Sequence, residues 1–505
     1  MEPDRPRDAP GRAVPEREGR PPAPESPALR PRTAKRKFRQ DAERALADGT
    51  LRGNYARATA TVRGRRDALM AALVDSPELM RVGNAVKQHA LSRLPELLET
   101  LEARLTARGV QVHWAETVQE ANGIVLDIAR RRGVVSVVKG KSMVSEEMEL
   151  NGFLSRHGIE AVEADLGEFI VQQAGQHPVH IVVPAIHMSR GQIGRLFADK
   201  LGEPYTDDVQ ALTAMARRIL RDKFRTAGMG VTGVNFAVAE TGTLALVENE
   251  GNGRMVTTVP PVHVALMGIE KVVARLEDLA PLVRLLTRSA TGQPITSYFN
   301  WLSSPRRPGE LDGPEEVHLV ILDNGRSRIY ADGQLRETLE CIRCGACLNA
   351  CPVYRRIGGA AYGSVYMGPI GKILTPQMAG LDKAGHLAGA STLCGACYEA
   401  CPVAIPIPDL LLRLRQEGNE PTAAGRALLR GAGGTRGFGE AMVWKGWQVL
   451  HDRPAAYRAF TRLAGLLAGL APTGFGPLRA WSRVRAMPRP ARRTLHQLLK
   501  DRPTA

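Results

Sequence analysis

The stretch CIRCGACLNACP, from Cys341 to Pro352, decides how the rest of the chain is read, together with its shorter echo LCGACYEACP, from Leu393 to Pro402. All seven cysteines of the 505 residues fall in these two segments. Cys341, Cys344, Cys347 and Cys351 lie in the first, and Cys394, Cys397 and Cys401 in the second. The first reads C-x2-C-x2-C-x3-C-P. The second aligns from its second cysteine onward, with Ser391 where a first cysteine would stand.

That spacing is the one by which bacterial-type ferredoxins wrap iron–sulfur clusters, the fourth cysteine of each run serving the other cluster. Cross-ligation gives a concrete expectation. Cluster 1 takes Cys341, Cys344, Cys347 and Cys401, a full set for [4Fe–4S]. Cluster 2 takes Cys351, Cys394 and Cys397. With three thiolates it is [3Fe–4S], or [4Fe–4S] with Ser391, water or a partner's ligand on one iron. Zinc ribbons pair two C-x2-C units and lack the C-x3-C-P tail. A disulfide framework belongs to small secreted chains.

Composition is that of a globular protein, 44% hydrophobic and 24% charged. The net charge of +16 sits at the ends: residues 1–39 carry 11 basic and 6 acidic side chains, and residues 411–505 carry 17 and 5. The middle, where the cysteines lie, is close to neutral. Basic ends suit an acidic partner, an anionic membrane face or nucleic acid. No helix-turn-helix or aromatic–basic platform accompanies them, so nucleic acid is not expected. Ala459–Leu470 is too short to span a bilayer and is expected as an ordinary buried helix, with a partner helix or peripheral membrane contact as the alternatives. Trp444, Trp447 and Trp481 suggest a tail that folds onto something. Reduced cysteines and the lack of an apolar leader point to a cytoplasmic setting.

The nine prolines of residues 1–35 predict a disordered arm, drawn as residues 1–40. Residues 41–110 read as a helical lead-in, with Val86, Leu91, Leu94, Leu97, Leu98, Leu101 and Leu105 at helical spacing. An α/β rhythm follows over 111–325. Strands are expected at Val134–Val138, Ile159–Val162, Val179–Val183, Val234–Ala239, Thr243–Val247, Val262–Met267 and Val317–Leu322, and helices at Arg190–Leu201 and Asp207–Phe224. The pattern predicts a largely parallel sheet covered on both faces. Lys139 and Lys141 stand in a glycine turn suited to an anion, and Glu248 and Glu250 in another. These turns either bind a small molecule or only reverse the chain. Residues 326–416 form the cluster domain and residues 417–505 a basic C-terminal region. Tyr354, Tyr362 and Tyr366 either shield the clusters or pack as ordinary aromatics. Arg343, Arg355 and Arg356 are expected to favour the reduced state of a nearby cluster.

The motifs VVKGKSMVSEE, EADLGEFIVQ, HIVVPAIH, GVTGVNFAVAETGTLALVENEGNGRM, LTRSATGQ, GPEEVHLVILDNGRS, CIRCGACLNACPVYRRIGG and STLCGACYEACPV together resemble the lactate utilization protein B family, over roughly residues 45–495. The resemblance implies a lactate-utilization domain similar in fold to CoA transferases and ribose-phosphate isomerases, followed by a helical dicluster ferredoxin. It implies that three cysteines in the second motif are usual. It implies an electron-transfer subunit in the oxidation of L-lactate to pyruvate, working with the other two proteins of the lactate utilization system, one with cysteine-rich repeats and one carrying a related domain. The final electron acceptor is not implied, nor any catalytic residue. The competing expectation is an α/β domain that is itself an enzyme acting on a carboxylate or CoA ester, with Glu248 or Glu250 as nucleophile.

Overall fold

The computed structural model describes residues 35–420, 422–429, 437–466, 493 and 495–500. The chain divides into two compact units at Gly433–Gly434. Most of the arm, Trp481 and the end of Ala459–Leu470 lie outside the described residues.

The first unit is built on a six-stranded, all-parallel sheet of order β1-β10-β7-β4-β2-β3. Its strands are β1 (Gln111–Ala115), β2 (Ser136–Lys139), β3 (Glu160–Glu163), β4 (Met229–Gly233), β7 (Val262–Gly268) and β10 (Glu316–Leu322). The central strands β7 and β10 are buried almost end to end, which is why they read as continuous apolar runs rather than alternating ones. A second, four-stranded sheet of order β8-β5-β6-β9 uses β5 (Phe236–Val238), β6 (Thr243–Glu248), β8 (Val272–Val273) and β9 (Tyr298–Leu302). Helix starts are locally encoded. Thr117 and Ser189 each close a capping box, with Glu120 and Gln192, at the heads of Val118–Arg131 and Arg190–Leu201.

Three expectations need correction. Val179–Val183 is not a strand. Its backbone is bound by side chains instead: His180 Nδ1 accepts from the Val182 and Val183 N–H groups at 3.0 Å, and Tyr354 Oη donates to the Val179 carbonyl at 2.6 Å. Pro178 and Pro184 bracket the segment and discourage ladder pairing. Residues 35–40, drawn as part of the arm, are helical within Lys35–Ala47. Past the last proline an i,i+4 pair, Lys37–Asp41 at 2.9 Å, supports the turn, and Phe38 meets Tyr362 and His386. Lys139 does not await an anion: its buried Nζ lies 2.8 Å from Glu163, 3.2 Å from Glu146 and 2.7 Å from Ser145 Oγ.

The helices Gly49–Ala71 and Ser76–Ser92 pack on the cysteine region. Arg66 Nη2 donates to the Ala400 carbonyl at 3.0 Å, Arg355 Nε to Thr59 Oγ1 at 3.2 Å, and Asn84 Nδ2 to Glu340 and the Val403 carbonyl at 2.8 Å. Gly358 sits against Tyr55 with φ +68°, where a Cβ would stand 2.4 Å from the ring. In the second unit, the helices Phe438–Asp452 and Pro454–Leu466 expose Trp444, Trp447 and Leu463. Among the described residues no helix is long and apolar enough to cross a membrane.

Candidate functional site

The two cysteine loops are built alike. Arg343 and Leu393 both take left-handed backbone, φ 61° and 55°, immediately before Cys344 and Cys394. Gly345 and Gly395 do so immediately after, at 73° and 82°, and open the short helices Ala346–Ala350 and Ala396–Glu399. This alternation curls the chain around a concave centre, at an energetic cost for the two non-glycine residues that recurs at functional sites. The Arg343 N–H donates to Cys341 Sγ at 3.4 Å. The Leu393 N–H donates to Ser391 Oγ at 3.2 Å. Ser391 therefore fills the hydrogen-bonding role of Cys341 in the second loop.

The cysteines gather across motifs. Cys344 and Cys347 are buried, Cys341 is half-buried, and Cys401 from the second motif is buried. Burial pushes the Cys344 thiol up to about 12 and also raises Cys347 and Cys401, with Cys341 adding to each. Cys351 from the first motif instead acts on Cys397, which burial raises to about 11. Cys394 is exposed, and an N–H from Ala396, with Thr392, lowers it. Thiols held protonated by burial are poor nucleophiles but become ligands when a metal supplies positive charge. Among the described residues no three His, Cys, Asp or Glu side chains converge as for a single ion. The ligands of a four-iron cubane stand at separate corners, farther apart than the donors of one ion, so the donor set fits iron–sulfur clusters. Backbone N–H groups of Tyr354 and Ile405 point at Cys351 and Cys401 at 3.5 and 3.4 Å.

Several neighbours have no local sequence signal. Buried Lys372 donates from Nζ to Cys351 Sγ at 3.5 Å and lies 5.7 Å from the Tyr362 ring centre. Arg343 does not stand as a free cation. Its Nη2 lies 3.1 Å from Glu270, and its guanidinium is 4.8 Å from the Tyr366 ring centre. Fully buried Arg326 grips Glu147 with both Nη atoms at 2.9 and 2.8 Å and pairs with Glu270 at 2.8 Å. Tyr366 Oη donates to Glu147 at 2.7 Å. Tyr366 thus belongs to this junction, whereas Tyr354 and Tyr362 are buried beside Cys347 and Cys351. Gly268 has no side chain because a Cβ there would lie 2.1 Å from Glu270 Oε2.

A cavity of about 500 Å³ opens at the carboxyl ends of β2, β4 and β7. Its lining includes Lys141, Asn235, Glu250 and Lys271 from the α/β region, and Arg343 and Tyr366 from the cysteine region. Lys271 is buried, which pulls it down to about 7, with Arg343 adding to the effect. Burial pushes Glu250 up to about 7, helped by Asp165. Glu248 is not a free nucleophile. It accepts from the Gly253 and Arg254 N–H groups at 2.7 Å and from Asn300 at 3.0 Å, tying down the start of Asn252–Thr258.

Comparison with known proteins bears on this arrangement. Residues 98–322 match the LUD domain family model, residues 337–405 a 4Fe-4S dicluster domain, and residues 413–504 the C-terminal model of lactate utilisation protein B. Lactate utilization protein B of Bacillus licheniformis is 41% identical over 472 residues, covering 92% of this chain and 97% of that protein. The chain belongs to the lactate utilization protein B family. The Bacillus pumilus member is 40% identical over 477 residues (92% and 97%), and that of Bacillus thuringiensis 41% over 473 (93% and 98%). The LUD match ends at Leu322, the last residue of β10, and the dicluster match holds all seven cysteines. The cysteine region is an iron–sulfur cluster domain. Among solved structures, a DUF162 family protein from Deinococcus radiodurans matches with a TM-score of 0.26 at 15% identity, covering 45% of this chain and 98% of its own.

Proposed function

We propose that this family member is an iron–sulfur electron-transfer subunit in the oxidation of L-lactate to pyruvate, acting with two partner proteins. Cys341, Cys344, Cys347 and Cys401 hold cluster 1 as [4Fe–4S]. Cys351, Cys394 and Cys397 hold cluster 2, with three irons or four. When bound, such clusters accept and pass on single electrons. What supports the reading is that Cys401 acts on Cys347 and is acted on by Cys344, whereas Cys351 acts on Cys397, and that the second group reaches the surface at Cys394. An enclosed centre beside a surface centre is the arrangement a relay to an external partner needs. The lactate assignment draws on the names of the Bacillus relatives. The constraint on Glu248 weighs against a covalent carboxylate mechanism in the α/β region.

The test is electron paramagnetic resonance on anaerobically purified chain, mixed with both partner proteins and L-lactate, with dithionite as control. Lactate should give the reduced-cluster signal only when the partners are present. Reduction by dithionite but never by lactate would contradict the substrate.

Lys372 offers a check on cluster 2. A positive charge on the order of 6 Å from a cluster centre stabilises one added electron by about 2–3 kcal/mol at an effective dielectric of 20, or roughly 100 mV. Lys372→Met should lower the midpoint potential of cluster 2 by that order in a redox titration. An unchanged midpoint would mean no cluster lies beside Cys351.

A further inference from the structure

We infer that the cavity between the sheet and the first cysteine loop is a binding site for a small organic carboxylate, seated on Lys271 and Arg343. The inference rests on the proposed electron-transfer role only in giving the first cysteine group a cluster.

Position is the first argument. Ligands of open α/β sheets bind beyond the carboxyl ends of the strands. Here Lys141 follows β2, Asn235 follows β4 and Lys271 follows β7, and all three line one cavity. Its volume, about 500 Å³, is that of a small-molecule site. The second argument is unspent charge. Lys271 is 8% exposed and has no hydrogen-bond or ion-pair partner among the described residues. Arg343 Nη1 is buried with no hydrogen-bond partner, although Nη2 reaches Glu270. Lys141 donates to a neutral acceptor, the Val182 carbonyl, at 2.5 Å. Glu270 also acts on Lys271, but it is already shared between Arg326 and Arg343. Burying cations that are incompletely paired is costly, and an anion seated among them lessens that cost.

The third argument is chemical class. No Walker or G-x-G-x-x-G turn lines the cavity, whereas a planar carboxylate suits a guanidinium edge beside an ammonium. Asn235 and Glu250 on the same lining can pair a hydroxyl or keto oxygen of the ligand's body. The site adjoins the first cysteine group directly, because the backbone N–H of Arg343 donates to Cys341 Sγ while its side chain faces the cavity.

The experiment uses the full chain with clusters reconstituted. Equilibrium dialysis with radiolabelled pyruvate and with L-lactate should give saturable binding, one per chain. Lys271→Gln and Lys141→Gln should each weaken it at least tenfold. Pyruvate should also shift the g values of the dithionite-reduced cluster 1 signal. Absence of saturable binding by both acids would overturn the inference, as would binding that neither substitution weakens. So would a Lys271→Gln chain with altered cluster potential but unchanged affinity, since Lys271 would then be only a counter-ion of the cluster. Iron content and the reduced signal, recorded without ligand, report separately on the electron-transfer reading.

Discussion

Replacing Cys344 with serine is expected to remove cluster 1 and bring lactate-driven electron flow to background. Cys344 is buried, and Cys341, Cys344 and Cys401 all act on the buried Cys347. Burial, with Cys341 adding to it, pushes its thiol up to about 12. A serine hydroxyl at that position is a far harder donor and a much weaker acid, so the metal cannot recruit it as readily. Iron should fall by roughly half, from about seven or eight atoms per chain to three or four. The signal of cluster 2 should persist, because Cys351, Cys394 and Cys397 are untouched. Full iron and normal electron flow in this variant would contradict the ligand assignment.

Arg326→Met is expected to be among the most destabilising single changes in the first unit. Arg326 is fully buried, and its guanidinium is the common partner of Glu147 and Glu270. These carboxylates come from the helix Met143–Glu147 after β2 and the short 3-10 turn Ile269–Lys271 after β7, and Tyr366 and Arg343 tie them to the cysteine region. Removing the cation leaves two carboxylates buried with too little compensation. Breaking a buried pair in this way costs about 3–5 kcal/mol. The melting temperature should drop by about 4–6 °C in a scan of the reconstituted chain. Arg326→Lys should recover part of that loss, since it restores charge without the two-pronged geometry. A loss under about 1 kcal/mol for Arg326→Met would mean that the network is dispensable.

Much of this architecture was legible locally. Strands β7 and β10 announced themselves as apolar β-branched runs, and the helix Arg190–Leu201 has the bounds its pattern predicted. The cysteine spacing led to the cluster domain, which the dicluster match bears out. What stayed hidden depends on distance along the chain. Glu147 and Arg326 lie 179 residues apart, and Asn84 and Glu340 256 apart, and no period of 2 or 3.6 reports such pairs. The helical spacing from Val86 to Leu105 predicted helix in the lead-in but not that Ser76–Ser92 braces the cysteine region. Val179–Val183 failed for the opposite reason. Its composition is that of a strand, yet His180 and Tyr354 satisfy the backbone before any neighbouring strand does. Lys372 looked like any other cation and Arg343 like a free cation beside a cluster, until tertiary contacts gave one a sulfur and the other a carboxylate.

The central claim is that the two motifs exchange ligands, and Cys401→Ser tests it most directly. Mössbauer and electron paramagnetic resonance spectra of the ⁵⁷Fe-reconstituted variant would be compared with those of Cys344→Ser and Cys394→Ser. Interleaving predicts that Cys401→Ser, although its change lies in the second motif, loses the same four-iron cluster as Cys344→Ser and keeps the cluster that Cys394→Ser loses. If Cys401→Ser instead loses the cluster that Cys394→Ser loses and keeps the one that depends on Cys344, each motif wraps its own cluster and the account is wrong.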